Sequence, residues 1–255
     1  MEKHRNNRIR PWAVLFWLGA WQALSMALRA AYPHGHLLLA SPLDALLRLG
    51  ELAVTADFWR TVAASSVRIL GGFWLACVLA CLLAALAARF RAVRELMEPL
   101  VAVIKAVPVV SFIILALVWL DSRSLTLFIS GLMVFPPVYL NVLAGIASTD
   151  RQLLEMARVF RVPFRRQMRA IYLPAVMPYF RSAMSLALGL CWKAGAAAEI
   201  IGLPAGTIGE RLYTAKVYFQ TPDLFAWTAV IVAVAAGFER LFLFLTDRAA
   251  ERLVR

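Results

Sequence analysis

The sequence predicts an all-α polytopic membrane protein with six transmembrane helices, and three observations carry that prediction. The 255 residues are 62% hydrophobic with a mean hydropathy of +0.73, yet the formal net charge is +12. The apolar residues gather into runs of about 20, the length that crosses a hydrocarbon core. These runs lack the period-two alternation of barrel strands, and backbone groups in hydrocarbon must be paired within their own segment, so each run is expected to be a helix.

The spans fall at 11–31, 62–88, 98–120, 125–147, 175–201 and 224–245. The first starts at Pro11 behind a basic segment and carries Trp12, Trp17 and Trp21. It exceeds a signal-peptide core and no small-residue cleavage site follows, so it is expected to remain as an anchor. Pro33 and Gly35 end it, and Ser41-Pro42 with Asp44 starts a short helix running to Leu52. His34 and His36 are too few ligands for a metal site and read as part of a solvated turn. In the second span Gly71, Gly72, Cys77, Ala80, Ala84, Ala85 and Ala88 suit a closely packed inner helix, while Arg68 near its outer end is expected to snorkel, in preference to facing a vestibule.

The third span holds Lys105 about one turn from its cytoplasmic end, then Pro108, which should loosen the helix, and Ser111. The fourth holds Gly131, Pro136-Pro137, Asn141 and Gly145, a pattern that predicts a broken helix. Its Asn141 either lines a path or is satisfied in packing. The fifth carries Lys193 near its middle and Glu199 near its outer end; an intramembrane lysine must face water, pair with an acid or meet an anion. A spacing of six makes a direct Lys193–Glu199 pair poor without a bend. Gly202, Pro204 and Gly206 then bring the chain into an external loop, a short external helix follows, and Thr221-Pro222-Asp223 starts the last span. Glu239 and Arg240 near its other end read as a snorkelling pair. Cys77, Cys81 and Cys191 all fall inside spans and read as packing residues.

The charges orient these helices. Lys3, Arg5, Arg8 and Arg10 precede the first span, Arg89, Arg91 and Arg94 occupy the second connector, six arginines lie between 151 and 169, and Arg248, Arg252 and Arg255 follow the last span. The opposite connectors hold only Arg48, Arg60, Arg123, Arg211 and Lys216. The positive-inside rule therefore puts both termini in the cytoplasm of a multi-pass plasma-membrane protein. It also accounts for the charge through anionic headgroups, with no nucleic-acid motif beside it.

The basic connector at 150–174, DRQLLEMARVFRVPFRRQMRAIYLP, has its own pattern. Asp150 caps a helix reaching about Phe160, with Leu153, Leu154, Ala157 and Phe160 on an apolar face and Arg151, Arg158 and Arg161 on a basic one. Pro163 stops it, a second short helix covers 164–172, and Leu173-Pro174 is expected to turn the chain into the fifth span. Read from periodicity alone, the segment also fits a helix lying on lipid headgroups.

Glu155, Met156 and Ala157, followed by Ile171, Leu173 and Pro174, resemble the cytoplasmic EAA motif of bacterial ABC-importer permeases. Two positions depart from it: the motif's usual Ala is Met156, and its usual Gly is Arg161. Glycine would permit a tight turn there, whereas arginine must take an ordinary helical conformation or make a compensating ionic contact. The resemblance runs from Ser41 to about Leu245, and the stretch LPAVMPYFRSAMSLALG at 173–189 is similar to the nitrate/sulfonate/taurine subgroup.

The resemblance implies a MetI-like type I importer permease fold. A cytoplasmic segment 1–10 and an additional helix 11–31 would precede an extracytoplasmic segment 32–60. A core of five helices at 61–246 and a cytoplasmic tail at 247–255 would follow. It further implies a permease pair, expected to be a homodimer, two cytoplasmic ATPase subunits and an extracytoplasmic solute-binding protein. The ATPase-coupling residues would be Leu154, Glu155, Ala157, Arg158, Arg161, Ile171, Leu173 and Pro174, and a translocation path or gate is expected at Ser111, Asn141, Lys193 and Glu199. The implied solute is a small anion such as a sulfonate, taurine or nitrate. No cofactor is expected in this chain, with ATP and Mg2+ belonging to the partner ATPase, since it has no GxxxxGK[ST] phosphate loop. Nor does it group a nucleophile, base and orienting residue, so no enzyme activity is expected. The spans and charges alone also fit a secondary transporter coupled through Lys193 and Glu199, or a non-transporting assembly subunit.

Overall fold

A computed structural model describes residues 11–254, with the side chains of all of these except 35, 36 and 249–254. The segment 1–10 with Lys3, Arg5, Arg8 and Arg10, together with Arg255 and the side chains of His36 and Arg252, therefore lies outside what is described. In chain order the helices are α1 (Pro11–Ala31), α2 (Gly35–Leu38), α3 (Pro42–Ala53), α4 (Ala56–Arg89), α5 (Arg91–Ala106) and α6 (Val109–Ala116). They continue as α7 (Ser122–Ala147), α8 (Arg151–Val159), α9 (Phe164–Gln167), a π-helical turn at Met168–Tyr172, α10 (Leu173–Gly202), α11 (Ile208–Val217) and α12 (Thr221–Val254). Among the described residues, five helical stretches are long and apolar enough to cross a membrane, and six if α5 and α6 together count as one span.

That bent pair is the first departure from the expected spans. The third is not one helix over 98–120: it breaks at Val107-Pro108, and α5 and α6 meet at 103°. The residue before a proline is driven out of the helical region, and Val107 sits at φ −81°, ψ 132°. A second departure is α7, which stays continuous through Pro136-Pro137 instead of breaking. A third lies at Leu173-Pro174, where no turn occurs and helix runs from Phe164 to Gly202. The wider π turn admits Pro174: the Leu173 amide donates to the Met168 carbonyl, five residues back, where the chain would otherwise meet the proline ring.

Residues divide between two compact units. In the smaller, residues up to Arg60 with Arg211–Val230, α3 begins with a complete capping box: the Ser41 hydroxyl accepts from the Asp44 amide, and the Asp44 carboxylate accepts from the Ser41 amide. Asp44 also pairs with Arg29 of α1, and Arg48 pairs with Asp223 at the start of α12.

The larger unit, Thr61–Glu210 with Ile231–Arg255, holds the principal core. Ile69, Phe73, Ala76, Ala80 and Ala84 on α4 are buried at helical spacing against Val134, Val138 and Val142 of α7 and Ala183, Met184, Ala187, Leu188 and Cys191 of α10. Where α4 crosses α7 there is room for hydrogen only: a Cβ on Gly72 would run into the Leu127 carbonyl and the Ser130 hydroxyl, and one on Gly131 would lie 3.0 Å from the Gly72 carbonyl oxygen. Helices in lipid gain little from apolar burial against each other, so such close backbone approach is a main source of their cohesion.

Candidate functional site

The basic connector builds an exposed helix with a defined end. The Asp150 carboxylate accepts from the Gln152 amide at 2.8 Å and caps α8. Ala157 is buried, while Leu153, Met156, Val159 and Phe160 are exposed, the last two at 78% and 74%. Leu154 is half-buried, and Glu155 and Arg158 are exposed. The helix ends in a Schellman pair: the Val162 amide donates to the Ala157 carbonyl at 2.8 Å and the Arg161 amide to the Arg158 carbonyl at 3.1 Å. This places Arg161 in the left-handed region at φ 49°. It is thus neither ordinarily helical nor held by an ion pair to a described residue; it takes the glycine-like conformation in spite of its side chain. Ile171 lies in the π turn, and Leu173 and Pro174 open α10.

On α10 one face is core and the other is a groove. Lys193 lines an open groove of about 580 Å³ together with Arg181, Ser182, Ser185 and Gly189. Arg181 is neutralised by both oxygens of Asp247, and the Ser185 hydroxyl donates to Glu239 at 2.6 Å. Lys193 is exposed and makes no ion pair with a described residue.

Glu199 belongs elsewhere. It is wholly buried, at 0% exposure, and one carboxylate oxygen accepts from the Ser65 hydroxyl of α4 at 2.7 Å and the Gly209 amide at 3.2 Å. The same Ser65 hydroxyl accepts from the Ile208 amide at 2.9 Å, so carboxylate and serine together satisfy the first turn of α11. A Cβ on Gly209 would strike that of Glu199, so the knot requires glycine. Arg68 is half-buried, with Nη1 enclosed and unpartnered, so its expected snorkelling is incomplete.

The remaining expected path residues are not gathered into this groove. Asn141 directs its amide to the Pro137 carbonyl of its own helix at 2.8 Å. Ser111 is exposed in the first turn of α6, beyond the bend. Sequence reading singled out Lys193 but missed its companions, although Ser182, Ser185, Gly189 and Lys193 recur at helical spacing along one side of an apolar run.

A family model described as "Binding-protein-dependent transport system inner membrane component" matches residues 47–255. The chain belongs to that family. Across 92% of its length it is 29% identical to a protein of Brucella melitensis named as an ABC transporter permease, covering 91% of that relative. It is 30% identical over 86% of its length to a protein of Escherichia coli K12 named for aliphatic sulfonates transport, covering 80% of it. A riboflavin transport permease of Chloroflexus aurantiacus is 26% identical over 96% of this chain and 88% of its own. This permease is therefore a multi-pass membrane protein of an ABC transport system, a family whose members are typically non-catalytic. Among its described residues no cluster of three or more His, Cys, Asp or Glu is arranged to hold a metal.

Proposed function

We propose that this permease is the translocating subunit of an ATP-driven importer. It works as a homodimer with two cytoplasmic ATPases and takes solute from an extracytoplasmic binding protein. Both termini are cytoplasmic. The observation that carries the proposal is α8: a capped, nine-residue helix on a basic connector, bearing an exposed row of Leu153, Met156, Val159 and Phe160. An apolar row rimmed by Glu155 and Arg158 suits a protein groove, where buried side chains anchor and rim charges set register. ATP binding draws the ATPases together, and the α8 helices pass that displacement through the continuous helix 164–202 to the path.

The solute passes the α10 groove, where Lys193 supplies the unpaired positive charge and the Ser182 hydroxyl a hydrogen-bonding neighbour. That charge and the relative named for aliphatic sulfonates support a small anion such as a sulfonate, taurine or nitrate. Glu199 acts in this reading as the support of the outer end of α10, and Ser111 and Asn141 border the path.

Two measurements test the proposal. Loaded binding protein should stimulate ATP hydrolysis by the reconstituted complex, and uptake driven by an ion gradient without ATP would instead establish a secondary carrier. Glu155→Arg should abolish ATPase attachment or coupled uptake while leaving membrane insertion intact, and normal uptake by that variant would reject the role given to α8.

A further inference from the structure

At the end of the larger unit that carries the basic connectors, a second cavity of about 710 Å³ lies between α4, α7 and the start of the helix that continues into α10. Small residues hollow one wall: Cys81, Ala85 and Ala88 on α4, spaced to share one helix face. Large apolar ones, among them Met168 and Phe180, form the other. On α4 the hollow extends from Cys81 to Arg89, about 12 Å along the helix at 1.5 Å per residue. An apolar cavity of this size gives water few partners, so its natural occupant is a hydrocarbon chain.

The charge at its mouth identifies the rest of that occupant. Arg89 is the charged residue of the lining; it is exposed and makes no ion pair with a described residue. Arg165, Arg166 and Arg169 belong to the same segment as the lining residues Phe164 and Met168 but are not themselves part of the lining; they too are exposed and without an acidic partner among the described residues. A hydrocarbon-lined slot that ends in one arginine without an acidic partner, within a strongly basic segment, is complementary to one molecule in particular, an acyl chain bearing an anionic phosphate.

We infer that this cavity is a binding site for an anionic phospholipid, with one acyl chain along Cys81, Ala85 and Ala88 and the phosphate at Arg89. The lipid wedges the inner end of α4 against the π turn. Occupancy therefore stiffens the segment through which the connector meets the membrane. This goes beyond the transport reading and is tested without it.

The test is native mass spectrometry of the purified full-length permease with equimolar phosphatidylglycerol and phosphatidylcholine of identical chains. Wild type should retain phosphatidylglycerol preferentially. Arg89→Gln should reduce that preference about fivefold, the effect of one basic residue at a lipid surface. Ala85→Phe, which fills the slot, should lower retention of both lipids, and Ala88→Met serves as a milder filling if Ala85→Phe does not fold. Equal retention of the two lipids by wild type, or retention unaffected by either filling, would overturn the site. So would disulfide crosslinking of Ala85→Cys between two copies of the chain in native membranes, because the slot would then hold the partner permease.

Discussion

Lys193 and Glu199, a basic and an acidic residue, stand six residues apart on one helix, yet they occupy opposite situations. Glu199 is wholly buried, holds Ser65 and Gly209, and thereby fastens the first turn of α11. Lys193 is exposed in an open groove beside Ser182 and Ser185 and has no acidic partner among the described residues. A charged residue in a membrane helix marks function by default, but its partners decide what kind. A carboxyl group whose one oxygen fastens two neighbours builds structure even though its other oxygen is unpartnered, whereas a cation facing a groove without an acidic partner is available to a solute.

The largest effect should come from breaking the knot. Glu199→Leu leaves the Ser65 hydroxyl and the Gly209 amide without their acceptor and should cost about 3 kcal/mol, read as a lower melting temperature of the detergent-solubilised protein. A variant as stable as wild type would remove the structural reading. Lys193→Met should do the reverse, with stability changed by less than about 0.5 kcal/mol and anion uptake reduced roughly tenfold. Unchanged uptake kinetics would sink the path assignment.

Glu199→Gln sharpens the contrast. It keeps an acceptor oxygen while removing the charge, so it should retain most of the stability that Glu199→Leu loses, falling by about 1 kcal/mol. A full loss would show that the charge itself, rather than hydrogen bonding, holds α11. The smallest effect belongs to Arg161, a charged residue held in a strained turn. The left-handed conformation costs about 1 kcal/mol for a side-chain-bearing residue, and glycine gives part of that back through the entropy of the unfolded chain. Arg161→Gly should therefore stabilise the connector by about 0.5 kcal/mol, seen as slower amide exchange across 151–162; faster exchange would contradict the strain.

What the sequence revealed was local. The apolar runs, the Ser41 to Asp44 cap, the Asp150 cap and the short helix after Gly206 all follow from neighbours a few residues apart, and each is present. Pro108 signalled a loosened helix but not the outright break or its 103° angle, which depends on what each half packs against. Pro136-Pro137 looked like a break and is not one: the helix continues through both prolines, with Val134, Pro136 and Val138 buried. The role of Glu199 was out of reach, since its serine partner is 134 residues away. Lys193 was conspicuous alone, but the groove that gives it meaning required the folded pairing of α10 with Leu243 of α12.

The central claim is that α8 is the point where ATP hydrolysis enters this membrane protein. Its most direct test is a cysteine crosslink from Arg158→Cys to the ATPase encoded nearest this gene, in intact membranes with expression matched. A specific adduct that vanishes with Glu155→Arg is the predicted result. Correct insertion without an adduct, to this ATPase and to a second candidate, would contradict the claim and return α8 to the lipid surface.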